Sequence, residues 1–143
     1  MGGDEKITEA EIRAFLARWF KMAAEKRPLA EQQLIFAPGC KIRGAGHVLT
    51  IADQIALHAG FSRETRKILE LTVDDTGDGA AVRAEVYFEV HLARPSDAAP
   101  KAIRVNMTED WLIVRAPTDV GLQFTKYETS NLRYLPGSAK LFE

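Results

Sequence analysis

The chain has 143 residues, 46% of them hydrophobic and 27% charged, and its formal net charge is −1. This size and composition are typical of one globular domain, so we predict a single domain over residues 1–143. Basic and acidic residues are interleaved throughout, which argues against a nucleic-acid partner. No apolar run approaches the roughly 20 residues of a membrane helix. The first residues, MGGDEKITEAE, lack the apolar segment of a secretory signal, so we expect a cytoplasmic protein with no membrane partner.

Three helices are predicted in the first sixty residues. Thr8 and Glu11 have the spacing of a capping box, and helical periodicity follows it. Pro28 ends this first helix and can begin a short second one, because its missing N–H costs nothing in a first turn. Thr50 caps a third helix, which Gly60 ends. The apolar stripe of the first helix comprises Ile12, Phe15, Leu16, Trp19, Phe20 and Ala23.

The second half of the chain has the two-residue period of strands. KILELTV, AVRAEVYFEVHLA, AIRVNMTEDWLIVR and LQFTKYETSNLRYL read as four long strands joined by short loops, and CKIRGAGHVLT as a weak strand or hairpin. Helices that precede a run of strands favour an α+β fold. We therefore predict a cone-shaped, strongly curved antiparallel sheet, with the three N-terminal helices packed on its concave face.

Glu109 interrupts an apolar stripe. Every second residue around it is apolar: Ile103, Val105 and Met107 precede it, and Trp111 follows. A carboxyl group on such a face enters an apolar environment, which raises its pKa and suits it to general acid or base catalysis. The simpler alternative is a bulge at residues 108–110 that turns Glu109 towards water.

Two segments resemble a known family. PLAEQQLIFAPGCKIRG is similar to the helix-then-strand signature of the nuclear transport factor 2-like superfamily, and TIADQIALHAGF is similar to its third helix. With four long strands after them, the pattern covers nearly the whole chain and resembles the SnoaL-like and ketosteroid isomerase-like branch. This resemblance implies a pocket for a hydrophobic small molecule.

Ketosteroid isomerase uses an aspartate base with a tyrosine and a protonated aspartate. Alignment on LIFAPGCKIRG places its base at Gly44, its tyrosine at Phe20 and its neutral aspartate close to Glu109. The resemblance thus retains one acid and loses the other two groups. Arg83-Ala84-Glu85 also resembles the Arg-x-Asp of the epoxide hydrolase relatives; the alternative is a polar outer side of the sheet with cross-strand ion pairs.

Glu109 is the predicted acid or base, and His58 could assist it by shuttling a proton; otherwise His58 is a histidine near a helix C-terminus. Trp19, Phe20, Met107, Trp111 and Tyr127 could line an aromatic pocket, although aromatic residues at such spacing also form ordinary cores.

No residue pattern predicts a metal or a cofactor. The three histidines and Cys40 lack metal-ligand spacing, and Gly44-Ala45-Gly46 lacks the setting of a dinucleotide loop. The leading hypothesis is a cofactor-free isomerase, cyclase, dehydratase or hydrolase. The alternatives are a non-catalytic ligand-binding or oligomerisation module, and an auxiliary subunit like the dioxygenase β subunits. Both leading hypotheses predict a homodimer through the outer face of the sheet.

Overall fold

The first helix begins where the capping box predicts. A computed structural model describes residues 6–44, 46–58, 61–92, 102–116 and 121–139. In it, helix α1 spans Glu9–Ala24. Thr8 Oγ1 accepts a hydrogen bond from the backbone N–H of Glu11, and the Glu11 carboxylate accepts one from the N–H of Thr8, both at 3.1 Å. Its N-terminus is therefore capped, and α1 buries Ile12, Phe15, Leu16, Trp19 and Ala23.

Two short helices and a small hairpin follow α1. Helix α2 spans Leu29–Gln33, strand β1 Ile42–Gly44, strand β2 His47–Leu49 and helix α3 Ile51–His58. Strands β1 and β2 pair in antiparallel fashion, as the weak hairpin predicts. The predicted end of α3 at Gly60 lies outside the described residues.

Four long strands complete the chain. They are β3 at Phe61–Asp75, β4 at Ala80–Leu92, β5 at Ala102–Arg115 and β6 at Leu122–Tyr134. The six strands form one sheet in the order β2-β1-β6-β5-β4-β3. Helices segregated before such a sheet confirm the predicted α+β class.

One edge of the sheet differs from the antiparallel prediction. Strand β1 pairs with β6 in parallel, with Ile42 opposite Tyr127. The parallel pairing with β6 already begins before β1. The Ala37 N–H donates to the carbonyl of Phe124 at 2.8 Å, and the Phe124 N–H donates to the carbonyl of Ile35 at 2.9 Å. A parallel pair needs a long connection, and here residues 45–121 separate β1 from β6.

Bulges bend the long strands. The β3–β4 register shifts twice, between Ser62 and Glu64 and between Ile68 and Glu70. The β5–β6 register also shifts twice. Each extra residue bends its strand and increases the twist, which gives the sheet a concave side facing α1.

The concave side, called the inner face below, contains the core. On β4 it carries Val82, Ala84, Val86, Phe88 and Val90, all at most 2% exposed. Alternation thus predicted the inner face of this strand correctly; the side chain of Leu92 lies outside the described residues. Among the described residues, no helix has the length and apolar character needed to cross a bilayer.

Candidate functional site

Glu109 lies at the centre of the inner face. It stands on β5 between Ala84 of β4 and Thr129 of β6, and it is only 2% exposed. Its neighbours along the stripe, Met107 and Trp111, are buried beside it. The residues 108–110 continue the regular β4–β5 register, so the predicted inward direction of Glu109 is confirmed and the bulge that would expose it is not present.

The environment of Glu109 favours the protonated carboxyl group. Burial raises its pKa to about 8, against partial opposition from the Thr129 hydroxyl and the positive charge of Arg66; Asp110 adds to the rise. Thr129 Oγ1 donates a hydrogen bond of 2.7 Å to Glu109 Oε2. The carboxyl group therefore holds its proton at neutral pH and releases it when the pH rises past about 8.

A second charged group on the inner face was missed by the sequence prediction. Glu64 and Arg66 of β3 form an ion pair, Arg66 Nη1 to Glu64 Oε2 at 3.0 Å, whose side chains are 1% and 4% exposed. The Arg66 guanidinium lies 4.4 Å from the ring centroid of Phe88 and 5.6 Å from that of Phe20. Its charge acts on both Glu109 and Tyr127, so the inner face carries four ionisable groups near one another, Glu64 included.

The bulge at Leu69 explains why Glu64 and Arg66 were missed. A strict two-residue period counted back from Val73 places Leu69, Lys67 and Thr65 on the inner face. The register shift after Ile68 inserts one residue and reverses the faces, which leaves Leu69 54% exposed. Positive φ at Arg63 marks the second shift. Only the pair of charges at alternate positions in SRETRKI could have indicated them.

Three of the predicted ligand-binding residues belong to a tight aromatic cluster. Trp19, Trp111 and Tyr127 are at most 2% exposed. Trp19 Nε1 donates to the Tyr127 hydroxyl at 3.3 Å, and burial, followed by the charge of Glu109, raises the pKa of that hydroxyl. Phe36 and Phe124 complete the cluster, with ring centroids 4.8–6.3 Å from their neighbours. The structure thus brings these residues together as packed core beside Glu109.

Phe20 and Met107 lie on the same side of the sheet. Met107 is 4% exposed, and Phe20 is only partly buried where it covers the Arg66 guanidinium. His58 closes α3, but its side chain lies outside the described residues. Its assistance to Glu109 therefore stays a prediction, as does the ligand-binding role of the aromatic residues.

Arg83 and Glu85 belong to the opposite, outer face. Arg83 Nε contacts Asp110 Oδ1 at 2.9 Å across β4 and β5. Glu85 accepts a hydrogen bond from Thr108 at 2.9 Å and pairs with Arg133 of β6. These contacts confirm the cross-strand ion-pair interpretation and separate the two residues from Glu109.

A surface groove of about 400 Å³ lies apart from Glu109, between α2, the β1–β2 hairpin and α3. Cys40 lies in this groove, and partial burial raises the pKa of its thiol to about 11. Among the described residues, no group of three or more His, Cys, Asp or Glu side chains is arranged to hold a metal.

The chain resembles several solved structures in fold. The Kfla4162 protein from Kribbella flavida has a TM-score of 0.72 and 19% identity, covering 90% of this chain and 93% of that one. The β subunit of benzoate 1,2-dioxygenase from Burkholderia mallei has a TM-score of 0.68 and 12% identity, covering 90% and 93%. A nuclear transport factor 2-like superfamily protein from Salmonella enterica has a TM-score of 0.67 and 16% identity, covering 92% and 91%.

No protein-family model matches the chain, and no curated protein matches it significantly. The likeness therefore rests on the arrangement of helices and strands, and it covers nearly all of the chain and of its structural neighbours. The helix-then-strand segment, the third helix and the four long strands predicted the same fold. The chain has the nuclear transport factor 2-like fold.

Proposed function

We propose that the chain acts on a hydrophobic small molecule without a cofactor, with Glu109 as its acid and base. The observation that carries this proposal is the carboxyl group of Glu109, 2% exposed on the inner face of a nuclear transport factor 2-like sheet. Its pKa of about 8 lets it both donate and accept a proton near neutral pH.

The supporting groups suit proton transfer beside a carbonyl group. Thr129 holds one carboxyl oxygen of Glu109 through its hydroxyl. The buried Tyr127 hydroxyl keeps its proton at neutral pH, because burial and Glu109 raise its pKa. The apolar stripe around Glu109 excludes water, which strengthens each electrostatic contact. Isomerases, cyclases and dehydratases that act on carbonyl compounds all remove a proton from the carbon beside the carbonyl group.

Exchange of carbon-bound hydrogen tests this function without knowledge of the substrate. The chain is incubated in D₂O with 2-tetralone, a small bicyclic ketone, and the loss of its α-proton signals is followed by NMR. We expect the wild type to exchange the α-protons of 2-tetralone about tenfold faster than the Glu109→Gln variant. The rate should rise with pH as Glu109 loses its proton, because the carboxylate is the base.

A matched control removes a carboxylate from the other face of the sheet. Glu128 of β6 is partly exposed and pairs with Lys126 at 4.0 Å. The Glu128→Gln variant should therefore exchange the α-protons of 2-tetralone at the wild-type rate. If the wild type is no faster than Glu109→Gln, the acid–base proposal is wrong.

The second candidate is a non-catalytic module for ligand binding or oligomerisation. Close packing of Trp19, Trp111 and Tyr127 favours an absence of catalysis, because these side chains form part of the core and leave little surface on which a substrate could react. Ligand binding that is unchanged in Glu109→Gln, together with no proton exchange by the wild type, would support this candidate over the enzyme.

A homodimer through the outer face is also proposed. Leu69 and Leu112 are exposed there, at 54% and 38%, beside the ion pairs of Arg83 and Glu85. Apolar residues within a broad sheet face favour cover by a second copy. Sedimentation of the wild type and of Leu69→Glu tests this: the wild type should be dimeric and the variant monomeric, and a monomeric wild type would exclude the dimer.

A further inference from the structure

Arg66 is a cation held inside an apolar environment. Arg66 is opposite Phe88 in the β3–β4 register. Its guanidinium lies over the rings of Phe88 and Phe20, at 4.4 and 5.6 Å from their centroids. The side chain is 4% exposed. Burial of a cation is costly unless charged or hydrogen-bonding groups compensate it, so its partners determine what it can do.

The described partners of Arg66 do not use all of its hydrogen-bond donors. Glu64 accepts from Nη1 at 3.0 Å. The Nε–H is buried and has no hydrogen-bond partner among the described residues. A buried donor without an acceptor is destabilising, whereas a guanidinium can bind two oxygens of one anion side by side. The unused Nε–H is therefore a site for an acceptor that the described part of the chain does not supply.

We propose that Arg66 binds an anionic oxygen of the small molecule that occupies the Glu109 site. This inference rests on the proposed function and names its ligand class: a planar, apolar body that carries a carboxylate or phenolate. The apolar body is expected because the guanidinium lies over the rings of Phe20 and Phe88. The anionic oxygen would accept the hydrogen bond that the buried Nε–H lacks among the described residues.

Two probes of nearly equal shape separate charge recognition from apolar binding. 2-Naphthoate carries a carboxylate, and 2-acetylnaphthalene carries a neutral acetyl group on the same ring system. Their affinities are measured by calorimetry at constant ionic strength. We expect the wild type to bind 2-naphthoate at least about tenfold more tightly than 2-acetylnaphthalene, which is the factor that one charge-assisted hydrogen bond supplies.

The variants must remove the guanidinium without leaving a bare carboxylate in the core. The double variant Glu64→Gln/Arg66→Gln removes both charges together, because loss of one partner of a buried pair is far more destabilising than loss of both. It should lose the preference for 2-naphthoate. Arg66→Lys keeps the charge but not the planar Nε–H, so it should retain only part of the preference. Lys67→Gln changes the exposed neighbour on the same strand and should bind both probes like the wild type.

The NMR signal of the Arg66 Nε–H gives a direct readout. Addition of 2-naphthoate should shift this signal downfield, since a hydrogen bond to a carboxylate deshields the proton, and 2-acetylnaphthalene should shift it less. Equal affinities for the two probes, or a preference that survives in the double variant, would overturn the inference.

The outcome separates this inference from the proposed function. Glu109-dependent exchange of 2-tetralone, without any preference for 2-naphthoate, would overturn the role of Arg66 alone. An Arg66-dependent preference for 2-naphthoate, without exchange, would overturn the acid–base function alone.

Discussion

The hydroxyl group of Thr129 donates a 2.7 Å hydrogen bond to the buried carboxyl group of Glu109. The two residues face each other across β5 and β6, so the register of the sheet sets their contact. A donor at this position stabilises the carboxylate more than the neutral acid, and it opposes the rise in pKa that burial causes.

Thr129→Val should therefore raise the pKa of Glu109 above its wild-type value. Valine keeps the volume of the side chain and removes the donor, so burial would act with less opposition. Thr129→Ser retains the hydroxyl and serves as the control. The titration is followed by carbon NMR of the Glu109 carboxyl group, and a pKa that is unchanged or lower in Thr129→Val would contradict the assigned role of the hydroxyl.

Glu109→Gln should change how stability depends on pH. The folded-state pKa, about 8, exceeds the ordinary value of 4.5, so between these values the folded chain holds a proton that the unfolded chain releases. The contribution of Glu109 to stability is therefore complete below pH 4.5 and declines as pH rises towards 8. The variant lacks this decline and should gain a few kcal/mol relative to the wild type at the alkaline end.

Urea unfolding of both proteins across this pH range measures the difference. Glu70→Gln, which changes an exposed carboxylate on β3, should differ from the wild type by a small amount that varies little with pH. If the difference in the free energy of unfolding between the wild type and Glu109→Gln does not change with pH, burial of an ionisable carboxyl group is contradicted.

Cys40 should react slowly with alkylating reagents. The thiolate is the reactive form, and partial burial raises the pKa of this thiol to about 11. Iodoacetamide at neutral pH should modify the folded chain about tenfold more slowly than the urea-unfolded chain, followed by mass spectrometry. Equal rates would show that the groove leaves the thiol as reactive as in an unfolded peptide.

Thr8→Ala should destabilise the chain by about 1 kcal/mol. The substitution removes the oxygen that accepts from Glu11 N–H and breaks one half of the capping box. Urea unfolding at neutral pH measures the loss, and Thr8→Ser should retain most of the stability because it keeps the hydroxyl. A Thr8→Ala variant as stable as Thr8→Ser would contradict the capping contribution.

Alternation along the strands predicted much of the fold and one site residue. The two-residue period of β5 is uninterrupted from Ile103 to Trp111, so it predicts that Glu109 lies on the inner face. The capping residues Thr8 and Thr50 likewise predicted two helix starts, since their local hydrogen bonds do not depend on distant residues.

Features set by long-range geometry could not be predicted in this way. The bulge at Leu69 reverses the faces of β3, so the two-residue period alone does not predict that Arg66 and Glu64 lie on the inner face. The parallel pairing of β1 with β6 joins segments far apart in the chain. The contact of Thr129 with Glu109 depends on the β5–β6 register. This register shifts once on each side of Glu109, so it could not be counted from the sequence.

The pKa of Glu109 tests the central claim most directly. The chain is labelled with carbon-13 at the glutamate side-chain carboxyl carbon, the signal is assigned by its absence in Glu109→Gln, and its chemical shift is followed against pH. A buried acid on the inner face predicts a midpoint of about 8. A midpoint near the ordinary 4.5 would show that the carboxyl group meets water, and it would contradict the proposed acid–base role.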